Sequence, residues 1–429
     1  MTAIVEAASQ PTLLTRAAAL DTVALAAKLL FKNGQTSERV VLAVERLGHA
    51  LGLPLTLHLY WGELVLQVEG TPFSEMVAAM PLGVDMGKVL AVMTVVDGVC
   101  DGTLSAEAAH SALEAAGRRP PASTLRFALF AAVGAASLGV IFGALSAASL
   151  LLIAASAGIG ALARRELAGL GDNPLIQPFC AAVIAGVGGA AAVQFQLSET
   201  QVLVAFCPCM VLVPGPHILN GAIDLARVRI ALGIARLAYA ALIVLMISAG
   251  LLAGLAACDA TLPAAGPSVA VPLAADVIAA GVAVAGFGTF LSMPWRLLPF
   301  PIAVGMLAHA ARWALISLAG AHVASGTLVA CILVGIIVTP VADRLHLPFA
   351  ALAFSAVVSM MPGFFLFSAA SSLVELVSIG PHAPVDLLIG IVTNGATAFL
   401  IILAMTFGLI LPRMLFARFR SLARGSSHP

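Results

Sequence analysis

The chain has 429 residues, no net formal charge and a mean hydropathy of +1.07; 61% of its residues are hydrophobic and only 10% are charged. A soluble protein carries about 25% charged residues, so this composition excludes a single soluble domain. The zero net charge gives no indication of a nucleic-acid partner. Of the 42 charged residues, 20 fall in residues 1–122. The sequence therefore predicts a soluble N-terminal part followed by a polytopic α-helical membrane protein.

The pattern of residues 1–122 is typical of a small α+β domain. Residues 20–53 have the periodicity of two amphipathic helices separated at Asn33-Gly34. Residues 54–70 alternate between apolar and polar side chains, which predicts a β-hairpin, and two more helices follow. The chain does not begin with a basic segment and a short apolar core, so we expect no cleavable signal peptide and a cytoplasmic location for this domain.

A catalytic role for this domain finds little support in its residues. The side chains with useful chemistry follow no motif of fixed spacing, and they are His49, His58, Asp97, Cys100 and Asp101. The six cysteines of the chain have neither metal-ligand spacing nor the pattern of a disulfide framework, so no metal and no cofactor are expected. A regulatory or assembly role is the simpler interpretation; a membrane-anchored metabolite sensor and a hydrolase remain as alternatives.

Ten apolar segments follow the N-terminal domain. A bilayer core about 30 Å thick requires roughly 20 apolar residues per helix. The predicted spans are 125–143, 145–163, 175–195, 200–222, 231–256, 274–293, 298–317, 322–341, 349–377 and 386–411. The loops after the even-numbered spans carry arginines, whereas loops 196–199, 257–273 and 378–385 contain no Lys or Arg. This bias predicts that both termini are cytoplasmic.

The ten spans divide into two groups of five, residues 123–257 and 258–429. Because five is odd, the second group begins on the opposite side of the membrane and the two groups form inverted repeats. Pro214-Gly215 and Pro362-Gly363 interrupt the fourth span of each group. Broken helices at matching positions of inverted repeats mark binding sites in secondary transporters, because an interrupted backbone needs protein or a cavity around it. A kink that serves packing alone is the alternative.

Three segments carry a resemblance to a known family. They are "GQTSERVVLAVERLGHALGL" with the hairpin after it, "LVPGPHILNGAIDL" and "LHLPFAALAFSAVVSMMPGFFLF". In order and spacing they resemble the threonine/serine exporter family, from about residue 20 to residue 411. The resemblance implies export of small hydroxylated amino acids, driven by the proton gradient, across a bacterial inner membrane. The partners are then the amino acid, a proton and the lipid bilayer; the oligomeric state stays open, a homo-oligomer included.

An amino acid needs donors for its carboxylate and acceptors for its ammonium group, and the two breaks provide both kinds of helix end. Polar side chains follow each break on one helix face, and Asn394 lies in the tenth span. We expect the substrate pathway to contain Pro214, Gly215, His217, Asn220, Pro362, Gly363, Ser368 and Asn394. Serines that bond to their own helix backbone are the alternative for Ser368.

Four ionisable residues are candidates for ion coupling, because such residues are costly inside a membrane unless they are used. They are His217, Asp224, His309 and Glu375. Three of them have a plain alternative: Asp224 as a surface ion pair beside Arg227, His309 as a hydrogen-bonded structural histidine, and Glu375 at the outer surface. Asp276, at the start of the sixth span, is expected to cap its helix.

Overall fold

The computed structural model describes residues 13–169, 173–198, 200–262, 271–345, 347 and 349–425. Residues 263–270 of the predicted outer loop, and residue 199 of another, lie outside this set. The chain separates into two compact units, Met1–Pro120 and Pro121–Pro429.

The first unit combines four helices with a three-stranded antiparallel sheet. Its elements are α1 (Leu13–Lys32), α2 (Ser37–Ala50), β1 (Leu55–Tyr60), β2 (Gly62–Val68), β3 (Ser74–Ala79), α3 (Met86–Cys100) and α4 (Ala106–Gly117). The sheet order is β1-β2-β3. The predicted break between α1 and α2 is present, and Gly34 lies there with a φ of +87°, a conformation that favours glycine.

The predicted hairpin is also present, since Tyr60 pairs with Glu63 across a turn at Trp61. One face of the sheet buries Leu57 and Leu64 against the helices. Strand β3 was not expected. Its sequence, SEMVAA, contains one β-branched residue, and it forms a strand through its antiparallel pairing with β2.

The second unit is helical throughout the part that the structure describes. Its first half contains α5 (Thr124–Ile141), α6 (Ala147–Leu167), α7 (Ile176–Gln194), α8 (Gln201–Met210), α9 (Gly215–Ala226) and α10 (Ile230–Ala256). Its second half contains α11 (Leu273–Phe290), α12 (Pro299–Ser317), α13 (Val323–Arg344), α14 (Phe349–Val357), α15 (Gly363–Ile379) and α16 (Val385–Gly425). A 3-10 turn, Val358–Met360, follows α14.

Nine helices within the described residues are long and apolar enough to cross a membrane, and α8 with α9 forms a tenth if that bent pair is one span. The chain is thus a polytopic helical membrane protein. The predicted span 349–377 differs from the structure. The spanning segment there is Gly363–His382, and the nine-residue α14 precedes it as a separate short helix. Pro362 has no N–H to continue the helix across this boundary.

Helix contacts in the second unit follow a regular scheme. Within the first half α7 packs closely on α10, where Gly254 approaches the backbone of Gly186; within the second half α13 packs on α16 in the same way. Between the halves, α5 packs on α11, α8 on α15 and α9 on α14. Gly250 and Gly254, four residues apart on α10, both lie against the backbone of α7, a close approach that small residues at this spacing allow.

Candidate functional site

The first break lies between α8 and α9, whose axes differ by 59°. The N–H groups of Leu212 and Val213 donate to the carbonyls of Cys209 and Met210, three residues back, which tightens the end of α8. Helix α9 starts afresh at Gly215, after Pro214. The fourth span is therefore interrupted, as predicted. Its direction changes by 59°, and a helix C-terminus and a helix N-terminus face the protein interior.

A buried polar face follows this break on α9. His217, Asn220 and Asp224 are 5%, 2% and 1% exposed, and they recur at the helical spacing that the sequence predicted. The ring of His217 packs edge-on against Tyr239 of α10, with 5.1 Å between ring centroids. All three side chains thus belong to the interior where α9 meets α10.

Asp224 forms a buried ion pair that the sequence analysis did not anticipate. Its Oδ2 lies 3.0 Å from Nε of Arg236 on α10, which is fully buried, and its Oδ1 lies 3.7 Å from Nη1 of Arg229. The alternative of a surface ion pair disagrees with the burial of Asp224, which is 1% exposed. One signal was available: an arginine inside a 27-residue apolar helix requires a nearby acid.

The second break packs against the first in a reciprocal manner. Gly215, the first residue of α9, contacts Phe354 of α14 so closely that a Cβ there would overlap its ring. Gly363, the first residue of α15, lies against Met210 at the end of α8; a Cβ there would fall 2.8 Å from Cγ of Met210. Each new helix therefore begins against the short helix that precedes the other break.

A chain of three polar residues adjoins the second break. Nδ1 of His309 lies 2.9 Å from Oδ2 of Asp276, and Nε2 lies 2.8 Å from Oγ of Ser359. His309 is fully buried and Asp276 is 5% exposed. The expected capping role of Asp276 is wrong, since its carboxylate bonds to His309 on the neighbouring helix instead. Arg312, one turn beyond His309, donates from Nε to Oγ1 of Thr327 at 3.4 Å.

The remaining predicted residues lie farther from the breaks or nearer the surface. Oγ of Ser368 is buried and forms no hydrogen bond to a described residue. Asn394 on α16 is half-buried. Glu375 is exposed on α15 and lies twelve residues, about 18 Å, beyond Gly363. The structure thus separates Glu375 from the buried polar groups, in agreement with its surface alternative.

Two small cavities adjoin the breaks. One lies among α5, α6, α7, α8 and α11, beside the first break, and contains the side chains of Arg164 and Ser156 in its wall. The other lies among α9, α14 and α16; it is largely apolar and is bounded by Gly215, Phe354 and Met361. Among the described residues, no group of three or more His, Cys, Asp or Glu side chains has the arrangement of a metal site.

Comparison with protein families gives two matches. Residues 21–257 match the family described as "Putative threonine/serine exporter", and residues 276–415 match "Threonine/Serine exporter, ThrE". No solved structure matches the chain. The matches cover both the N-terminal unit and nearly all of the membrane helices, and they confirm the resemblance found in the sequence. This is a family of transporters and not of enzymes, so the hydrolase alternative is excluded. The chain belongs to the threonine/serine exporter family.

Proposed function

We propose that this protein exports small hydroxylated amino acids, of the threonine and serine type, in exchange for protons. Family membership supports the substrate class. The observation that carries the proposal is the reciprocal packing of the two breaks, Gly215 against Phe354 and Gly363 against Met210. Four helix ends meet there inside a membrane protein, and such ends supply both donors for a carboxylate and acceptors for an ammonium group.

We further propose that the two halves are inverted repeats. The helix contacts support this, because nearly all of them recur when α5–α10 are replaced by α11–α16 in order. The pairs α7–α10 and α13–α16 correspond, as do α8–α15 and α14–α9, while α5–α11 corresponds to itself. Five spans in each half, with α8 and α9 as one span, give the halves opposite orientations. Alternating access then takes place by movement of one half against the other.

The orientation in the membrane is proposed from the charge bias of the loops. Arginines follow the even-numbered spans, so the N-terminal unit and the C-terminal tail lie in the cytoplasm. The family resemblance implies that the membrane is a bacterial inner membrane. In this orientation the C-terminal end of α6 is cytoplasmic, and substrate enters from that side.

Proton coupling is assigned to the chain Asp276–His309–Ser359. Imidazole changes its charge near neutral pH, and His309 joins an acid on one helix to a hydroxyl at the second break. A change in its protonation alters the hydrogen bond to Ser359 and thereby the backbone next to Pro362. Arg312, on the same helix, is the other charged group nearby.

His217 and Asp224 remain candidates for ion coupling at the first break. Glu375 is the weakest candidate because it is exposed.

Counterflow in proteoliposomes tests the proposed function. Vesicles preloaded with unlabelled threonine are expected to accumulate labelled threonine or serine, and labelled leucine is the control for substrate class. The His217→Ala and Asn220→Ala variants are expected to insert normally and to lose exchange. Absence of exchange with threonine, serine and other small amino acids in the wild-type protein would overturn the proposal.

A further inference from the structure

The cavity beside the first break has one charged side chain in its wall, Arg164 of α6. The predicted second span ended at residue 163 and left this arginine in the loop after it, but α6 extends to Leu167 and includes it. The opposite wall is formed by Pro208, Val211 and Leu212, which belong to the last turn of α8 and the break itself. Most of the remaining lining is alanine or glycine, and the cavity has a volume of about 10 Å³, room for about one water molecule, so a larger ligand enters only when the helices around it separate.

The surroundings of Arg164 differ from those of the other interior arginine on this side, Arg236. Arg236 is neutralised by Asp224 at 3.0 Å. The Nε atom of Arg164 is buried and forms no hydrogen bond to a described residue, and no described carboxylate lies within ion-pair distance of it. Its guanidinium lies 5.0 Å from the ring centroid of Phe290. Arg164 is half-buried and lies in the last turn of α6. A guanidinium there that has no carboxylate partner is available to an anionic ligand.

We propose that Arg164 binds the carboxylate of the transported amino acid in this cavity; the inference rests on the proposed function and adds the residue that recognises the substrate. Guanidinium matches a carboxylate in geometry and charge. The C-terminal end of α8, which carries partial negative charge, forms the opposite wall and accepts the ammonium group. Ser156, two turns before Arg164 on α6, is the other polar side chain in the wall of this cavity.

The second half supports this assignment through its equivalent positions. Pro362 follows Pro214 by 148 residues, and the same interval relates Arg164 to Arg312. It also relates two residues of the cavity wall, Ala161 and Val211, to His309 and Ser359. Those two are joined by a hydrogen bond of 2.8 Å. The positions that line the small cavity in the first half therefore correspond to a side-chain contact in the second.

Competition between threonine and threoninamide tests the proposal in the proteoliposome exchange assay. Threoninamide keeps the ammonium and hydroxyl groups but has no negative charge. Wild-type protein is expected to prefer threonine by at least about tenfold, the difference that one charge-assisted hydrogen bond produces. Arg164→Gln is expected to abolish this preference and to raise the half-saturating threonine concentration by a similar factor. Arg164→Lys is expected to keep the preference.

Arg165→Gln is the matched control. Arg165 is the adjacent residue, but it donates to the carbonyl of Ala122 and lies over Phe127, away from the cavity wall. This variant is expected to retain the wild-type preference. Unchanged preference in Arg164→Gln would overturn the inference and leave the proposed function intact, whereas absence of threonine exchange in the wild-type protein would overturn the proposed function itself.

A second variant keeps the test decisive if the Arg164 variants do not reach the membrane. Ala161→Val adds two methyl groups to the cavity wall and leaves the guanidinium in place. It is expected to raise the half-saturating concentration of threonine without change in the preference over threoninamide. An unchanged half-saturating concentration would show that the substrate does not use this cavity.

Discussion

At the residue scale, the ion pair of Asp224 and Arg236 allows two charged side chains to be buried between α9 and α10. Both side chains are almost fully buried, and removal of one partner from a buried pair costs about 3–5 kcal/mol because the other charge is left uncompensated. We expect Asp224→Asn or Arg236→Gln alone to lower the melting temperature of the detergent-purified protein, and the double variant to recover much of the loss. Additive losses in the double variant would contradict this interpretation.

Arg229 provides the control for this prediction. It also approaches Asp224, but at 3.7 Å and with 33% of its side chain exposed. Exposed pairs contribute little to stability, so Arg229→Gln is expected to change the melting temperature much less than Arg236→Gln. Equal effects of the two substitutions would mean that burial does not set the strength of the pair.

Substitution of His309 is expected to abolish proton coupling and to leave substrate exchange intact. Glutamine retains hydrogen-bonding groups but does not take up a proton near neutral pH. His309→Gln is therefore expected to retain threonine counterflow, and to lose the transport that a pH gradient drives across the vesicle membrane. His322→Gln is the matched control, because His322 is exposed and caps α13 through its Nδ1. Unchanged gradient-driven transport in His309→Gln would exclude His309 from coupling.

The sequence indicated individual polar residues in the apolar spans, but it did not indicate which residues they contact. His217, Asn220 and His309 were found because ionisable or polar groups are rare in apolar spans. The contacts of His309 were not predictable, since Asp276 and Ser359 lie 33 and 50 residues away on other helices. Arg236 was overlooked because one arginine in a long apolar helix hardly changes its hydropathy.

At the scale of elements, the two breaks were predictable because proline and glycine act locally on the backbone. What each break contacts depends on the packing of helices from both halves. The short helix α14 was merged with α15 in the predicted span, since both are apolar and hydropathy alone does not separate them. Strand β3 was missed for the opposite reason: its local sequence is weak and its pairing with β2 decides its conformation.

The contact between α9 and α14 gives a prediction at this scale. Gly215→Ala places a Cβ within the ring of Phe354, so α9 must move and threonine exchange is expected to fall strongly. Phe354→Ala in the same chain removes the ring and is expected to restore part of the exchange. Gly390→Ala is the control, because a Cβ at Gly390 meets no atom within 4 Å. Failure of Phe354→Ala to restore any exchange would argue against this contact.

At the scale of the whole molecule, the sequence predicted a soluble N-terminal unit and a polytopic membrane unit from the distribution of charge. It also suggested two groups of five spans from the positions of Pro214 and Pro362. The helix contacts that correspond between the two groups are made by helices distant in sequence. The two halves share little sequence beyond their breaks. The proposed repeat is therefore supported more clearly by the pairing of helices than by the residues themselves.

If one half moves against the other during transport, the two breaks that pack against each other must also move. In a chain whose native cysteines are replaced by serine, Met210→Cys with Gly363→Cys joins α8 to α15; the Cβ atoms lie about 3.4 Å apart, close to the separation in a disulfide. Ala132→Cys with Gly158→Cys, at about 3.5 Å, joins α5 to α6 within one half and serves as the control. The measurement is threonine counterflow before and after reduction of each disulfide. The account predicts that the α8–α15 disulfide stops exchange until it is reduced, whereas the control disulfide does not; full exchange with the α8–α15 disulfide intact would contradict it.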